Sequence, residues 1–167
     1  MARRVQTRRP MTALRRSPDR VLRFMRLMWK IDHDLQSASR RMESTVGLTS
    51  QQRLCVLLVG RHPRITPSGL AALLHLDRGT ITGILRRLEA GGFVARDSNP
   101  DDGRSVHLRL TARGRKVDRG RRHTVEDAVR RTLDRVPASD LAAAERLLTR
   151  LADELADVAN SSVSRTD

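Results

Sequence analysis

Apolar residues recur at helical spacing from residue 20 to about residue 46, while most of the arginines of this segment lie off the apolar stripe. The pattern predicts a long amphipathic helix of about seven turns. A small domain does not need so long an apolar face for itself, so we expect a partner helix, from a second subunit, to cover it. The stripe consists of Val21, Phe24, Met28, Ile31, Leu35, Ala38 and Met42.

The next helix is predicted from its capping residues. Gly47 ends the first helix, and Thr49 with Gln52 three residues later fits a capping box. The run of apolar residues from 54 to 59 indicates that this second helix is buried. Gly60 and Pro63 then mark its end.

Two short helices follow in close succession. Thr66 and Pro67 have the N-cap and first-position signature of a third helix, whose inner face is Leu70, Ala71 and Leu74. Asp77 caps a fourth helix that runs to about residue 90, before a pair of glycines. Its predicted inward residues are Ile81, Ile84, Leu85 and Leu88.

Two strand-like runs, 93–96 and 105–110, flank a segment rich in turn residues at 97–103. This order predicts a β-hairpin with a polar, protruding tip. Thr111 then begins a fifth helix that ends before Pro137, and Ser139 or Asp140 caps a sixth.

The predicted fold is mainly α with a small β-hairpin wing, a winged helix-turn-helix with N- and C-terminal dimerisation helices. Residues 1–18 are expected to be a disordered, arginine-rich arm and 161–167 a polar tail. Between them, 19–160 form a single domain, with dimerisation helices at about 20–46 and 113–159 and a winged helix-turn-helix at about 49–111.

The third and fourth helices have the spacing of a helix-turn-helix, in which the second helix enters the major groove of DNA. The outward face of the fourth helix is basic and carries no acid before Glu89. Arginine pairs with guanine edges, threonine contacts thymine methyl groups, and glycine permits close backbone approach. The alternative is a solvated basic surface. The candidate recognition residues are Arg78, Gly79, Thr80, Thr82, Gly83, Arg86 and Arg87.

The charge favours a polyanionic partner. The formal net charge is +14, and Lys30 and Lys116 are the only lysines among 33 basic residues. The first 20 residues hold seven arginines and one aspartate, so the excess is not confined to the arm. Double-stranded DNA is the favoured partner, although a GC-rich genome also enriches arginine.

Three segments form a specific pattern: Arg-Leu-Glu-Ala-Gly-Gly-Phe-Val-Ala-Arg at 87–96, Asn-Pro-Asp-Asp-Gly-Arg at 99–104 and Leu-Thr-Ala-Arg-Gly at 110–114. They resemble the MarR (multiple-antibiotic-resistance regulator) family of bacterial winged-helix repressors. The resemblance extends through the long first helix and the C-terminal helices. It implies a homodimeric transcription factor that binds a pseudo-palindromic operator and acts as a repressor released by a small-molecule effector.

The resemblance also implies roles for single residues. Arg104 at the wing tip is expected in the minor groove, with Asp102 orienting its guanidinium and Ser105 beside it. A small aromatic effector is a candidate ligand, in a crevice that Trp29 and His33 would line. The alternatives are hairpin solubility or turn formation for the wing residues, and interface or surface packing for Trp29 and His33.

No enzyme is expected, because the histidines lack metal-ligand spacing and no catalytic or phosphate-loop motif occurs. We therefore predict that the protein has no cofactor and no metal. Cys55, the single cysteine, lies in an apolar run and is expected to be an inert core thiol in a cytoplasmic protein. No apolar run approaches the length of a membrane span. The remaining alternative is a winged-helix module that binds protein or RNA, or that coats DNA without sequence preference.

Overall fold

The computed structural model describes residues 18–99, 102–119 and 124–163, which form seven helices and one antiparallel β-hairpin. The predicted fold class, mainly α with a hairpin wing, is confirmed. By contacts the chain divides into two compact units, Met1–Gly120 and Arg121–Asp167. Within the described residues, none of the helices combines the length and apolar character that a bilayer-spanning segment requires. The elements are α1 Pro18–Val46, α2 Ser50–Arg61, α3 Pro67–Leu74, α4 Arg78–Ala90, β1 Val94–Asn99, β2 Asp102–Leu110, α5 Ala112–Arg119, α6 Val125–Leu133 and α7 Ala138–Val163.

Local hydrogen bonds explain why α2, α3 and α4 begin where the sequence predicts. The Thr49 hydroxyl accepts from the Gln52 amide at 3.2 Å, and the Thr49 amide donates to the Gln52 side chain at 3.0 Å, which completes the capping box. Thr66 caps α3 in the same way, accepting from the Gly69 amide at 3.0 Å. These bonds satisfy amides that the first turn of a helix leaves without partners.

The core of the first unit is aliphatic and joins α2, α3, α4 and the hairpin. Cys55, Val56, Leu70, Leu85 and Leu88 have no exposed surface. The predicted inward residues of α4 are all buried, and so are Leu70 and Ala71 of α3, whereas Leu74 is partly buried. This packing fixes which face of α4 is left to the solvent.

The hairpin is held against the helices at its base. Val94 pairs with Leu110 and Arg96 with Leu108, and the Leu108 amide donates to the Ile65 carbonyl at 2.8 Å. The Thr111 hydroxyl donates to the Gly92 carbonyl at 2.5 Å and accepts from the Gly114 amide. The 110–114 motif therefore joins the wing to α5.

Both strands are longer than predicted. Residues 97–99 and 102–104, assigned to the turn from their composition, belong to β1 and β2. Asp97 of β1 and Arg109 of β2 form an ion pair across the strands at 2.7 Å. Cross-strand pairing outweighs the turn preference of the individual residues here.

The prediction of one continuous fifth helix from residue 111 to Pro137 is wrong. The structure has α5 and α6 instead, with residues 120–123 outside the described part. Thr124 has an extended backbone, with φ −108° and ψ 161°, and its hydroxyl accepts from the Asp127 amide at 3.3 Å. This N-cap begins a new helix where the apolar spacing suggested continuity.

The last helix also differs from the prediction at both ends. It begins at Ala138, so Ser139 and Asp140 lie in its first turn and neither is the cap. The Asp140 and Leu141 amides donate instead to the Pro137 carbonyl. The helix continues to Val163, beyond the predicted limit of 159. The predicted arm and tail lie outside the described residues, apart from Pro18 in α1 and 161–163 in α7.

The apolar stripe of α1 is largely uncovered in the single chain. Met42 is buried at 2% exposure, whereas Val21, Ile31 and Leu35 are 60%, 51% and 42% exposed. Leu147, Leu148 and Val158 of α7 are also more than half exposed. Apolar surface of this extent on two long helices is typical of a chain that associates with a partner.

Candidate nucleic-acid interface

The N-terminus of α4 is built around Asp77. Its carboxylate accepts from the Thr80 amide at 2.8 Å and from the Thr80 hydroxyl at 2.6 Å. The hydroxyl bond, followed by the backbone bonds, lowers the pKa of Asp77 below its ordinary value. The cap therefore stays ionised near neutral pH, where it compensates the positive end of the helix dipole.

Three arginines share the exposed side of α4. Arg78, Arg86 and Arg87 are exposed, and the structure shows no hydrogen-bond or ion-pair partner for their guanidinium groups within the described residues. Glu89, the first acid of the helix, pairs with Arg96 and so does not neutralise them. The face presents uncompensated positive charge that suits phosphates or guanine edges.

The two threonines of this face have their hydroxyl groups engaged within the helix. Thr80 donates to Asp77, and Thr82 donates to the Arg78 carbonyl at 2.6 Å. Thr80 therefore acts first as part of the cap. Since the Thr82 hydroxyl already has a partner, its methyl group is the part of the side chain suited to a thymine methyl contact.

The two glycines of α4 differ in their surroundings. A Cβ at Gly79 would lie 3.1 Å from the Asp77 carboxylate, whereas a Cβ at Gly83 would meet nothing within 4 Å. No contact within the described structure thus requires a glycine at 83. The helix backbone at Gly83 is therefore accessible to a molecule that approaches from outside.

The predicted wing residues lie in an irregular part of the hairpin. Ser98 pairs with Val106, but Asn99 pairs with Asp102, which leaves Gly103, Arg104 and Ser105 without a paired residue in β1. The side chains of Asp102, Arg104 and Ser105 lie outside the described part of the structure. Their predicted roles remain predictions.

Two interactions lie at the C-terminal end of α4, where the chain turns into the wing. The Arg96 side chain of β1 donates to the Glu89 carboxylate. Arg113 of α5 lies 4.4 Å from the centre of the Phe93 ring and donates to the Gly91 carbonyl at 2.8 Å. The first interaction connects α4 to the hairpin, and the second connects α5 to the loop between α4 and β1.

Sequence reasoning missed both of these links, and also Arg53. This arginine of α2 is buried at 1% exposure and donates to the Val117 carbonyl of α5 at 2.8 Å. Glu89 and Arg96 are seven residues apart across a turn, and Arg53 and Val117 are 64 apart. The Arg-Leu-Glu motif at 87–89 drew attention to Glu89, but it did not indicate that Glu89 pairs with Arg96.

The candidate ligand residues of α1 are exposed. Trp29 has 64% of its surface accessible, and His33 is also exposed. Neither residue lines the cleft between the C-terminal end of α2, strand β2 and helix α5. Among the described residues, no three potential metal-ligating side chains come together.

Cys55 is fully buried, as predicted. Loss of hydration raises the pKa of its thiol to about 11. A thiol in such surroundings stays protonated and unreactive near neutral pH.

Comparison with known proteins gives consistent matches. Residues 48–106 match the sequence model of the MarR family. The HTH-type transcriptional repressor Rv2887 of Mycobacterium tuberculosis is 28% identical over 128 residues, which cover 77% of this chain and 92% of that protein. These matches include the helix-turn-helix and most of the hairpin.

Solved structures show the same fold. The S. aureus MepR–DNA complex has a TM-score of 0.66 at 18% identity, covering 79% of this chain and 97% of that one. A MarR variant from E. coli in complex with operator DNA has a TM-score of 0.63 at 25% identity, covering 80% and 96%. Residues 48–106 thus match the MarR family, and the chain shares its fold with solved MarR structures.

Proposed function

We propose that this chain is a sequence-specific, DNA-binding transcription regulator, a repressor that a small-molecule effector releases from its operator, and not an enzyme. The observation that carries the proposal is the exposed face of α4, where Arg78, Arg86 and Arg87 have no partner within the described residues. The buried opposite face fixes this orientation. The named relatives and DNA complexes support the same function.

The proposal assigns α4 to the major groove and the hairpin tip to the adjacent minor groove. Two such units in a homodimer place their recognition helices about 34 Å apart, which requires a pseudo-palindromic operator. The uncovered apolar stripes of α1 and α7 support dimerisation through about 20–46 and 113–159. The protein acts in the bacterial cytoplasm. Its DNA contacts are Arg78, Gly79, Thr80, Thr82, Gly83, Arg86 and Arg87 of α4 and Asp102, Arg104 and Ser105 of the wing.

For the effector, the proposal assigns Trp29 and His33 to a crevice completed by the partner subunit. Their exposure in the single chain is compatible with a site that forms on dimerisation. No cofactor or metal is part of the proposed activity.

The test is selection of bound DNA from a random pool, followed by titration of the selected duplex with excess unrelated DNA as competitor. We expect binding at least about a thousandfold tighter to the selected duplex. Arg86→Ala should lower the binding free energy by about 1–3 kcal/mol at one base position and so relax specificity at that position. Equal affinity for selected and random duplexes would contradict the proposal and favour a module that coats DNA.

A further inference from the structure

Arg53 of α2 is the one charged side chain that the described residues bury in their core, at 1% exposure. Its helical neighbours Cys55 and Val56 have no exposed surface. A charge in such surroundings is costly unless hydrogen bonds compensate it, and an apolar side chain of similar volume is often at least as stable. Stability alone therefore does not explain an arginine at this position.

The partner of Arg53 lies in the last turn of α5. Its Nη1 donates to the Val117 carbonyl oxygen at 2.8 Å. In a helix that ends at Arg119, this carbonyl is one of the last four, which have no amide partner within the helix. Arg61 of α2 makes an exposed contact with the same turn, where a guanidinium nitrogen lies 3.8 Å from the Asp118 carboxylate. Two arginines of α2 thus hold the C-terminal end of α5, one of them from the core.

The N-terminal end of α5 is in contact with the base of the wing and with the end of α4. A Cβ at Gly114 would lie 2.1 Å from the Phe93 carbonyl oxygen and 3.3 Å from the Leu110 side chain. Arg113 donates to the carbonyl of Gly91, the C-cap of α4, at 2.8 Å. A helix of eight residues is therefore held by α2 at one end and packs on the hairpin and α4 at the other.

We propose that Arg53 is a positioning residue for DNA binding, which sets the place of the wing relative to α4 by holding α5 on α2. The part that concerns DNA rests on the proposed function. In that function the wing and α4 enter neighbouring grooves, so their separation decides whether both fit one duplex.

The chemistry of residue 53 matters because a hydrogen bond has a preferred direction, whereas apolar contact is non-directional. The buried guanidinium therefore fixes where α5 lies along α2. An apolar side chain of the same length would fill the space and allow α5 to slide, and the wing would move with it.

The first test is amide hydrogen exchange of the full chain without DNA. Arg53→Met removes the donor and leaves an unbranched apolar side chain in its place. Exchange in α5 and at the base of the hairpin should become at least about tenfold faster, the loss of one hydrogen bond to a charged group, while α3 and the middle of α4 keep the wild-type rates. Arg41→Met, at an exposed position of α1, is the matched control and should change none of these rates. Unchanged exchange in α5, or acceleration by one factor throughout the unit, overturns the proposal.

Arg53→Lys retains the charge and a donor but lacks the rigid fork of arginine. Its exchange rates should lie between those of the wild type and Arg53→Met. If Arg53→Met does not fold, this variant decides the question, because wild-type rates in α5 would then overturn a role for the directed bond.

The second test compares two duplexes that share the selected operator core and carry AT-rich or GC-rich flanks under the wings. A wing in a narrow minor groove favours the AT-rich flank. In the wild type the ratio of the two Kd values should be about five- to a hundredfold, and in Arg53→Met it should fall at least about threefold. The penalty for a base change under α4 should stay within about twofold of the wild-type penalty. A variant that is only less stable binds every duplex more weakly by the same factor, so it leaves both ratios unchanged.

The outcomes separate this proposal from the proposed function. A wild-type flank ratio in Arg53→Met, or a wild type without flank preference, overturns the role of Arg53 in DNA binding. A wild type that does not distinguish selected from random duplexes contradicts the proposed function instead. The exchange experiment contains no DNA, so its result is independent of both.

Discussion

Gly83 lies in the interior of α4, and open space surrounds the position that a Cβ would occupy. A glycine there costs the folded protein roughly 0.5–1 kcal/mol relative to alanine. Gly83→Ala should therefore raise the free energy of unfolding by about that amount, as measured by urea denaturation. The same methyl group should weaken operator binding, because it separates the helix backbone from the DNA.

The control for this prediction is Ser161→Ala on α7, an exposed helical position whose hydroxyl bonds only to the Asp157 carbonyl. It should raise helix stability and leave DNA affinity unchanged. Operator binding by Gly83→Ala that equals the wild type would show that α4 does not approach DNA closely at this residue.

Cys55 gives a second prediction at this scale. Because burial raises the pKa of its thiol from 9.0 to about 11, the thiolate fraction of the folded protein at pH 8 is about a hundredfold lower than that of the unfolded chain. A disulfide reagent should react with the native protein at least that much more slowly than in urea. A raised thiol pKa stabilises the fold below pH 9, and this contribution is lost as the pH rises from 9 towards 11. Equal reaction rates in the two states would contradict a buried thiol.

Local chemistry was the part of the structure that the sequence predicted best. Thr49 with Gln52, and Asp77, cap helices within three residues of themselves, so spacing alone reveals them. The link from Glu89 to Arg96 depends on how the hairpin folds back on α4, which spacing does not encode. The side chains of α4 were sorted correctly into inner and outer faces, since helical periodicity decides that.

At the junction between the hairpin and α5, Gly114 leaves no room for a side chain. A Cβ at Gly114 would lie 2.1 Å from the Phe93 carbonyl oxygen, a distance no side chain can occupy. Gly114→Ala should destabilise the protein by about 1–3 kcal/mol by forcing α5 away from the wing. Urea unfolding measures the loss, and Gly83→Ala is the matched glycine substitution with the opposite expected sign. If Gly114→Ala and Gly83→Ala changed the free energy of unfolding in the same direction, the assigned packing would be refuted.

Elements were also where sequence reasoning failed. Helical periodicity continued past residue 120, so α5 and α6 were merged, although Thr124 and Asp127 carry a capping signal. The composition of 97–103 indicated a turn, but Asp97 and Ser98 pair with His107 and Val106, and the strands continue to Asn99 and Asp102. In the first case helical periodicity was given priority over the capping signal. In the second, residue composition was given priority over strand pairing.

At the scale of the whole molecule, we expect the uncovered stripe of α1 to lie in the dimer interface. Ile31→Glu places a charge on this stripe, where Ile31 is 51% exposed in the single chain. Sedimentation velocity should show the wild type as a dimer and this variant as a monomer at micromolar concentration, because burial of an unpaired carboxylate is costly. Asp32→Gln, an exposed neighbour, should remain dimeric. A variant at Ile31 that stays dimeric would exclude this part of α1 from the interface.

Salt dependence then connects assembly to DNA binding. Each phosphate that the protein neutralises adds about 0.9 to the slope of log affinity against log salt concentration. If Arg87 contacts a phosphate in each half of a dimer, Arg87→Ala should lower the slope by about two, whereas a monomeric complex would lose about one. Arg150→Ala, an exposed arginine of α7, should leave the slope unchanged. Anisotropy titrations of the selected operator between about 50 and 200 mM salt measure the slopes of both variants. If the slope changes by only about one, a single Arg87 contacts DNA in the complex. The prediction of a two-fold operator would then be wrong.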